Sequence, residues 1–163
     1  MPEIHIRAAE PADAQAVAEI FACPTVQANT LQLPFRPIDH HRARLQPDPY
    51  THQLVAEIDR RVVGMLGLHL ERSPRRSDCA GFGMAVHDAF QGQGVGSALM
   101  AAMLDLADNC LGIRRLELQV YADNTAGVRL YEKFGFRTEG TLIAFARRAG
   151  TLVDAYYMAR LRP

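Results

Sequence analysis

The sequence predicts a mixed α/β fold, with a largely antiparallel sheet of about seven strands flanked by about four helices. The main observation is that runs with strand periodicity and runs with helix periodicity alternate along the chain. With 48% apolar and 22% charged residues, the composition is typical of a folded chain rather than a disordered one. No internal repeat or Gly/Ser linker divides the 163 residues, so we expect one domain over residues 1–163.

The first third of the chain combines two regular elements with a proline-rich segment. Alternating apolar and polar residues predict a strand over 4–9, and Pro11 opens a helix that reaches Phe21. Residues 24–49 hold five of the nine prolines, so we expect an irregular segment with one short helix at 39–45. This segment is too apolar to be disordered and is predicted to form a pocket wall. Its apolar residues include Leu31, Leu33, Phe35 and Ile38.

The remaining elements follow from the same two periodicities. Residues 53–58 and 62–70 flank a short charged turn and predict a β-hairpin. Gly81 and Gly83, in a predicted strand over 79–86, indicate a bulge or a ligand close to the backbone. We also predict helices over 94–110 and 124–134, and strands over 116–120, 136–146 and 151–161.

Charge and cysteine content restrict the classes of partner. The 18 basic and 18 acidic residues give a net charge of zero, which argues against a nucleic-acid partner. No apolar run approaches the roughly 18 residues of a membrane span, and the N-terminus lacks a signal-peptide core. We therefore expect a cytoplasmic protein with no membrane partner. The three cysteines form no Cys-x-x-Cys pair, so we predict neither disulfides nor a metal site.

The sharpest motif is a glycine-rich heptapeptide between a predicted strand and a predicted helix, Gln91-Gly92-Gln93-Gly94-Val95-Gly96-Ser97. Glycines allow a tight turn and close approach of a ligand to the backbone, and the first N–H groups of the helix are free. Because the start of a helix carries about half a positive charge, a phosphate or pyrophosphate is the expected ligand. A turn that only caps the helix is the alternative. A P-loop would need a lysine here, and a dinucleotide fingerprint would need glycine at position 97.

Together with a second motif, this loop resembles the GNAT superfamily of acyl-CoA-dependent N-acyltransferases. The first family signature, Gln/Arg-x-x-Gly-x-Gly/Ala, is matched by Gln91, Gly94 and Gly96. The second signature is an asparagine, a tyrosine seven residues later and a closing Gly-Phe, and it begins at Asn124 and continues through Tyr131. The resemblance covers essentially the whole chain.

The resemblance implies a role for each matched position. It implies acetyl-CoA as co-substrate, with its pantetheine arm along the main chain of Met84 and Val86 and its pyrophosphate on the N–H groups of 91–97. Tyr131 would protonate the departing CoA thiolate, with a core aromatic as the alternative. Asn124 would contact the cofactor beyond the thioester. The predicted cofactor-binding residues are Met84, Ala85, Val86, Gln91, Gly92, Gln93, Gly94, Val95, Gly96, Ser97 and Asn124.

Two departures from the family pattern affect the chemistry. Position 92 is often basic in the family but is glycine here, which removes one cation from the phosphate site. The position that often carries a glutamate base is Gly81, so the base is not assigned. Deprotonation at pH 7 costs roughly 1.4 kcal/mol for an α-amine and roughly 4–5 kcal/mol for a lysine amine. A site without that carboxylate therefore suits an α-amine better than a lysine amine. The open candidates for a base are Glu117, His69 and Tyr121, each acting through water.

The acceptor is inferred from the resemblance. Segments 29–35, 72–83 and 153–160 are similar to a bacterial subgroup that acetylates L-amino acids such as Phe and Met, which implies a small-molecule amine acceptor. An aminoglycoside, a polyamine or a protein N-terminus is the alternative within the same chemistry, and a non-catalytic acyl-CoA-binding module is the alternative of another class. The arginines of loop 72–76 are expected to be solvated, with pairing to a substrate carboxylate as the alternative. The family also implies a homodimer.

Overall fold

One sheet organises the chain in the computed structural model, which describes residues 1–162. Its strands are β1 (His5–Ala8), β2 (Thr51–Ile58), β3 (Arg61–Leu70), β4 (Cys79–Val86), β5 (Arg115–Tyr121), β6 (Arg137–Arg148) and β7 (Thr151–Leu161). The spatial order is β1-β2-β3-β4-β5-β7-β6. All neighbours are antiparallel except β4 and β5, which are parallel. The prediction of a largely antiparallel sheet of seven strands is confirmed.

Helices cover both faces of this sheet. They are α1 (Ala14–Ala22), α2 (Pro24–Asn29), α3 (Ile38–Arg44), α4 (Val95–Asp105) and α5 (Thr125–Lys133). Because side chains alternate along a strand, Met65 packs against α1–α3 on one face, whereas Leu66 packs against α4 and α5 on the other. No helix within residues 1–162 is both long and apolar enough to cross a membrane.

The helices differ from the prediction at two places. The proline-rich segment contains one more helix than predicted, because α2 begins at Pro24. Proline is tolerated at the first helical position, where the N–H would have no partner within the helix. The short helix predicted at 39–45 is confirmed as α3. The helix predicted over 94–110 is α4 up to Asp105 and then continues as a π-helical turn, Leu106–Leu111.

The parallel strands β4 and β5 separate soon after they begin. Three residue pairs join them, from Cys79 with Arg115 to Gly81 with Glu117. Beyond these pairs the strands diverge, and we call the opening between 82–86 and 118–121 the cleft. It divides the sheet into an N-terminal half, β1–β4, and a C-terminal half, β5–β7.

Helix α2 and the residues that follow it close one side of the cleft. Their hydrogen bonds run from the Thr25 N–H to Asp88 (3.1 Å), from Arg148 to the Ala28 carbonyl (3.3 Å) and from the Tyr121 hydroxyl to the Thr30 carbonyl (3.2 Å). The segment is therefore tied to both halves of the sheet. The predicted pocket wall is confirmed for residues between 25 and 32, whereas Leu33 and Phe35 are exposed.

Candidate active site

A cavity of about 670 Å³ occupies the cleft and reaches both faces of the sheet. Its lining comes from the glycine-rich loop, from the start of α4, from α5, from β2–β6 and from α1–α3. Gln93 is not part of this lining, and its side-chain amide donates to the Ala89 carbonyl at 3.1 Å. The other predicted site residues all line the cavity: Met84, Ala85, Val86, Gln91, Gly92, Gly94, Val95, Gly96, Ser97, Asn124 and Tyr131.

The glycine-rich loop turns the chain from β4 into α4. Gly92 and Gly94 have φ angles of 73° and 88°, in the left-handed region that glycine adopts without strain. Gly96 lies in the first turn of α4, where a Cβ would be 3.1 Å from Cδ2 of Leu130, so glycine allows α4 to approach α5 closely. The N–H groups of the first three helical residues have no partner within the helix. They offer donors to an anion in the cavity.

The main-chain groups of β4 alternate between β3 and the cleft. The His87 N–H donates to a carbonyl of β3 at 2.8 Å, so His87 and Ala85 direct their main-chain groups towards β3. Met84 and Val86 therefore direct theirs into the cleft. The Val86 carbonyl already accepts a hydrogen bond from the Gln91 side chain at 3.1 Å. An extended ligand can thus pair with the Val86 N–H and with both groups of Met84.

Asn124 caps α5 at the edge of the cavity. Its side-chain oxygen accepts a hydrogen bond from the Gly127 N–H at 3.0 Å, which satisfies one of the free donors at the helix start. The side chain lies over Gly127, where a Cβ would be 2.8 Å from Nδ2 of Asn124. Glycine at 127 lowers helix propensity but leaves room for this amide. The oxygen is engaged by the cap, and Nδ2 remains a donor.

Tyr131 combines a core position with a place in the cavity lining. It is 9% exposed, and its ring packs edge-on against Phe82 at 5.8 Å and Phe136 at 6.2 Å between centroids. Burial raises the pKa of Tyr131 to about 12. The phenol therefore stays protonated at neutral pH and remains a hydrogen-bond donor.

Comparisons with known proteins identify the family to which this arrangement belongs. Residues 14–136 match the model of the Acetyltransferase (GNAT) family. The chain belongs to the GNAT acetyltransferase family. Over 163 residues this acetyltransferase is 47% identical to the L-amino acid N-acetyltransferase AaaT of Escherichia coli (strain K12), an alignment that covers 99% of this chain and 100% of that protein.

Solved structures share the fold of this acetyltransferase. The GCN5-related N-acetyltransferase from Kribbella flavida has a TM-score of 0.86 at 28% identity, over 98% of both chains. The structure of yncA from Salmonella typhimurium with its cofactor acetyl-CoA has a TM-score of 0.84 at 24% identity, over 97% of this chain and 93% of that one. The family predicted from the two motifs and the fold predicted from the alternating periodicities are confirmed.

Among the candidate bases of the acetyltransferase, Glu117 is engaged in ion pairs. Its two oxygens accept hydrogen bonds from Arg76 at 2.7 Å and from Arg115 at 2.8 Å. Burial would raise the pKa of Glu117, but hydrogen bonds from Arg115, Arg76 and Tyr157 outweigh it and lower the pKa. A carboxylate with a lowered pKa and both oxygens engaged is a weak base.

Tyr121 is also poorly suited to accept a proton. Burial raises the pKa of Tyr121, against an opposing effect of Arg148. Its hydroxyl donates to the Thr30 carbonyl at 3.2 Å. The neutral phenol is therefore a structural link between β5 and the wall of the cleft.

His69 has the properties that the other two candidates lack. It lies beside Gly81 in the sheet and lines the cavity. Burial, followed by the positive charge of Arg44, lowers the pKa of His69 against the opposing effect of Asp48. The imidazole is therefore neutral at pH 7. Its Nδ1 lies 3.4 Å from the Thr51 hydroxyl, which leaves Nε2 for a ligand.

The arginines of loop 72–76 are mostly engaged by acidic side chains. Arg72 pairs with Asp48 at 3.1 Å and lies over the ring of Tyr50. Arg76 pairs with Glu71 as well as with Glu117. The alternative prediction that this loop supplies a carboxylate-binding arginine is therefore not favoured for these two residues.

Two polar residues of the cavity lining were not identified from the sequence. Arg44 lies at the end of α3, and Gln53 lies in β2. Arg42 and Arg44 are equivalent in the sequence pattern, but Arg42 pairs with Asp39 on an exposed surface, whereas Arg44 lies over the ring of Phe21 and lines the cavity. No periodicity or motif distinguishes these two roles.

Proposed function

We propose that residues 1–163 form one acetyltransferase domain that transfers the acetyl group of acetyl-CoA to the α-amine of a small amino acid. The observation that carries the proposal is the set of chemical groups that line the cavity in the cleft. It combines the free N–H groups at the start of α4, the cleft-facing edge of β4, the Tyr131 phenol and the neutral imidazole of His69. The 47% identity with an L-amino acid N-acetyltransferase supports an amino-acid acceptor.

The residues on the α4 side of the cavity suit the acyl donor. The pyrophosphate would bind to the N–H groups at the start of α4, where the helix dipole also favours an anion. Met84 and Val86 would pair with the amide-bearing arm in the manner of an added strand. Asn124 would donate a hydrogen bond from Nδ2. Since glycine replaces a basic residue at 92, the helix start is the main source of positive potential in this loop.

Acetyl-CoA supplies a thioester that a neutral amine can attack. His69 accepts the proton that the amine nitrogen loses as the C–N bond forms and the C–S bond breaks, directly or through water. Tyr131 donates a hydrogen bond to the departing sulfur. A phenol with a pKa of about 12 is a weaker acid than a thiol at about 8.5, so Tyr131 stabilises the thiolate by its hydrogen bond, and the sulfur takes its proton from solvent. The proton released through His69 balances the one taken up by the sulfur.

The charge of the cavity argues against a polycationic acceptor. No Asp or Glu of residues 1–162 lines it, whereas a polyamine or an aminoglycoside needs acidic partners. A non-catalytic acyl-CoA-binding module would not need a buried phenol and a neutral imidazole in the same cavity. Between a polycation and a free amino acid, the cavity therefore favours the α-amine of the amino acid as the acceptor.

The test is a measurement of CoA release from acetyl-CoA over a panel of amines, with mass spectrometry of the products. We expect N-acetylation of one or more apolar L-amino acids and little turnover of spermidine, an aminoglycoside or a peptide N-terminus. Tight binding of acetyl-CoA without turnover of any amine would support the binding module instead. Preferred turnover of spermidine would contradict the proposed acceptor.

A further inference from the structure

Arg44 is a cation that lines the cavity without an acidic partner. None of the salt bridges within residues 1–162 includes it. Every other arginine that lacks a carboxylate partner in this part of the chain is exposed to solvent, whereas Arg44 is partly buried. Its guanidinium carbon lies 5.6 Å from the centroid of the Phe21 ring.

The surroundings of Arg44 do not compensate its charge. Burial lowers the pKa of Arg44, but a guanidinium remains charged in proteins. Its positive charge acts on both His69 and His41, and Arg36 adds to the effect at His41. A partly desolvated cation without a counter-charge is unfavourable until an anion binds. The cavity therefore offers a site for an anionic group next to Arg44.

Two hydrogen-bond acceptors lie beside the same part of the cavity. Nε2 of Gln53 donates to the Arg44 carbonyl at 3.1 Å, which ties β2 to the end of α3, while its Oε1 is buried with no partner. A Cβ at Gly67 would be 3.0 Å from Oε1 of Gln53 and 3.1 Å from Nε2 of His69. The two acceptors therefore lie against the same face of Gly67, where a side chain would crowd both of them. An amine has a donor for each.

We propose that Arg44 binds the α-carboxylate of the acceptor, while Gln53 Oε1 and His69 Nε2 accept hydrogen bonds from its α-amine. This inference depends on the proposed function and assigns the residues that select its acceptor. A guanidinium binds a carboxylate through two parallel hydrogen bonds, which also fixes the orientation of the amine. Apolar residues beside this site, among them Phe21, Val26 and Met65, favour an apolar side chain on the acceptor. The enzyme therefore acetylates free amino acids and discriminates against the corresponding amides.

The test compares L-phenylalanine with L-phenylalaninamide, which lacks only the carboxylate. In the wild type, we expect kcat/KM for the acid to exceed that for the amide by about 10- to 100-fold. Arg44→Met keeps an apolar stem over Phe21 and should lower kcat/KM for the acid by about 10- to 100-fold, mainly through KM, with the amide changed less than about threefold. Arg44→Lys should restore part of the loss.

Arg42→Met is the matched control, because Arg42 lies on the same helix and pairs with Asp39 away from the cavity. This variant should retain wild-type kinetics with both acceptors. Acetyl-CoA affinity should be unchanged in all three variants. An equal loss for acid and amide in Arg44→Met, or a wild type that does not distinguish them, would overturn the proposal.

A binding measurement separates this proposal from the proposed function. L-phenylalanine is titrated into protein saturated with CoA, which carries no acetyl group and allows no turnover. Suppose that the wild type binds L-phenylalanine, that Arg44→Met weakens this binding, and that the protein acetylates no amine. This result would support the carboxylate site and refute the acetylation of amino acids. Binding that is unaffected by Arg44→Met, or no binding to the wild type, would refute the carboxylate site.

Discussion

Burial acts in opposite directions on the two ionisable side chains that we place at the reaction. It raises the pKa of Tyr131 and lowers that of His69, because in each case it disfavours the charged form. Both groups are consequently neutral at pH 7. One is then a hydrogen-bond donor and the other a proton acceptor, so burial, assisted at His69 by the charge of Arg44, prepares the pair without a carboxylate at Gly81.

Replacement of Tyr131 tests the donor at the sulfur. Tyr131→Phe keeps the packing against Phe82 and Phe136, so we expect acetyl-CoA affinity within a few-fold of the wild type and kcat lower by about 10²–10⁴. Pre-steady-state kinetics shows whether slow product release hides the chemical step. Tyr121→Phe is the matched control, since that hydroxyl binds the Thr30 carbonyl and its loss should reduce stability by about 1 kcal/mol with little change in kcat. A normal chemical rate in Tyr131→Phe would leave Tyr131 only a core aromatic.

The pH dependence of kcat tests His69 as the base. Because the pKa of His69 is lowered from 6.5, the base form is present above pH 6.5 and is lost by protonation below it, so kcat should fall on the acid side of that value. The charged groups that act on it are Arg44 and Asp48. In His69→Gln we expect kcat lower by about 10²–10⁴ and no such acid limb. If kcat of His69→Gln still falls in acid with the same midpoint, another group is the base. Glu117→Gln is the comparison, because it should keep the acid limb of the wild type.

At the scale of elements, the start of α5 combines a structural role with a proposed cofactor contact. Asn124 caps the helix with its oxygen, and Nδ2 remains for a ligand. Serine also caps helices but has no amide donor. Asn124→Ser should therefore keep the stability of the wild type and raise KM for acetyl-CoA, whereas Asn124→Ala should raise KM and also lose about 1 kcal/mol of stability. Thermal unfolding and initial-rate kinetics measure both effects, and an unchanged KM in Asn124→Ser would limit the residue to capping.

Most elements of the fold could be predicted because their signals are local. The hairpin β2–β3 follows from two apolar runs around a charged turn, in which Asp59 and Arg60 take left-handed conformations. Helix α2 was missed because a six-residue helix that starts with proline has too short an apolar pattern to recognise. The bulge in β6 was missed for another reason. There Ala144 has a φ of 53° and donates its N–H to Asp154 at 2.8 Å, a contact with a separate strand.

The two sides of the cavity also differ in how far their residues could be predicted from the sequence. The proposed donor side consists largely of one loop and two helix starts, so contiguous motifs predicted nearly all of its residues. The proposed acceptor side is assembled from α3, β2 and β3, whose residues Arg44, Gln53 and His69 are far apart in the sequence. Of these, His69 was one of three open candidates, and the other two had no signal. Tertiary contact alone distinguishes Arg44 from Arg42.

At the scale of the whole molecule, the cleft requires that two half-sheets stay together with little direct pairing. Three residue pairs join β4 to β5. A network of charges adds a second connection, since Arg76 before β4 pairs with Glu117 of β5, which also pairs with Arg115. Arg115 in turn pairs with Glu139 of β6. Glu117, 16% exposed, is the central carboxylate of this network.

Removal of the Glu117 carboxylate should therefore lower the free energy of unfolding rather than kcat. Glu117→Ala leaves Arg76 without its partner across the half-sheets and Arg115 with only Glu139, so we expect the free energy of unfolding to fall by about 1–3 kcal/mol in urea denaturation at pH 7. Glu139→Ala removes a more exposed carboxylate, 40% accessible, and should cost no more than about 1 kcal/mol.

The sign of the pH dependence follows from the lowered pKa of Glu117. Burial opposes this shift, and the hydrogen bonds from Arg115, Arg76 and Tyr157 produce it. The ionised carboxylate therefore stabilises the folded state fully above the ordinary value of 4.5, and this contribution is lost as the pH falls through the folded-state pKa. The stability difference between wild type and Glu117→Ala should accordingly be constant from pH 6 to 8 and shrink in acid. If Glu117→Ala instead has the stability of the wild type and the acid limb of its kcat profile is displaced, Glu117 is the base of the reaction.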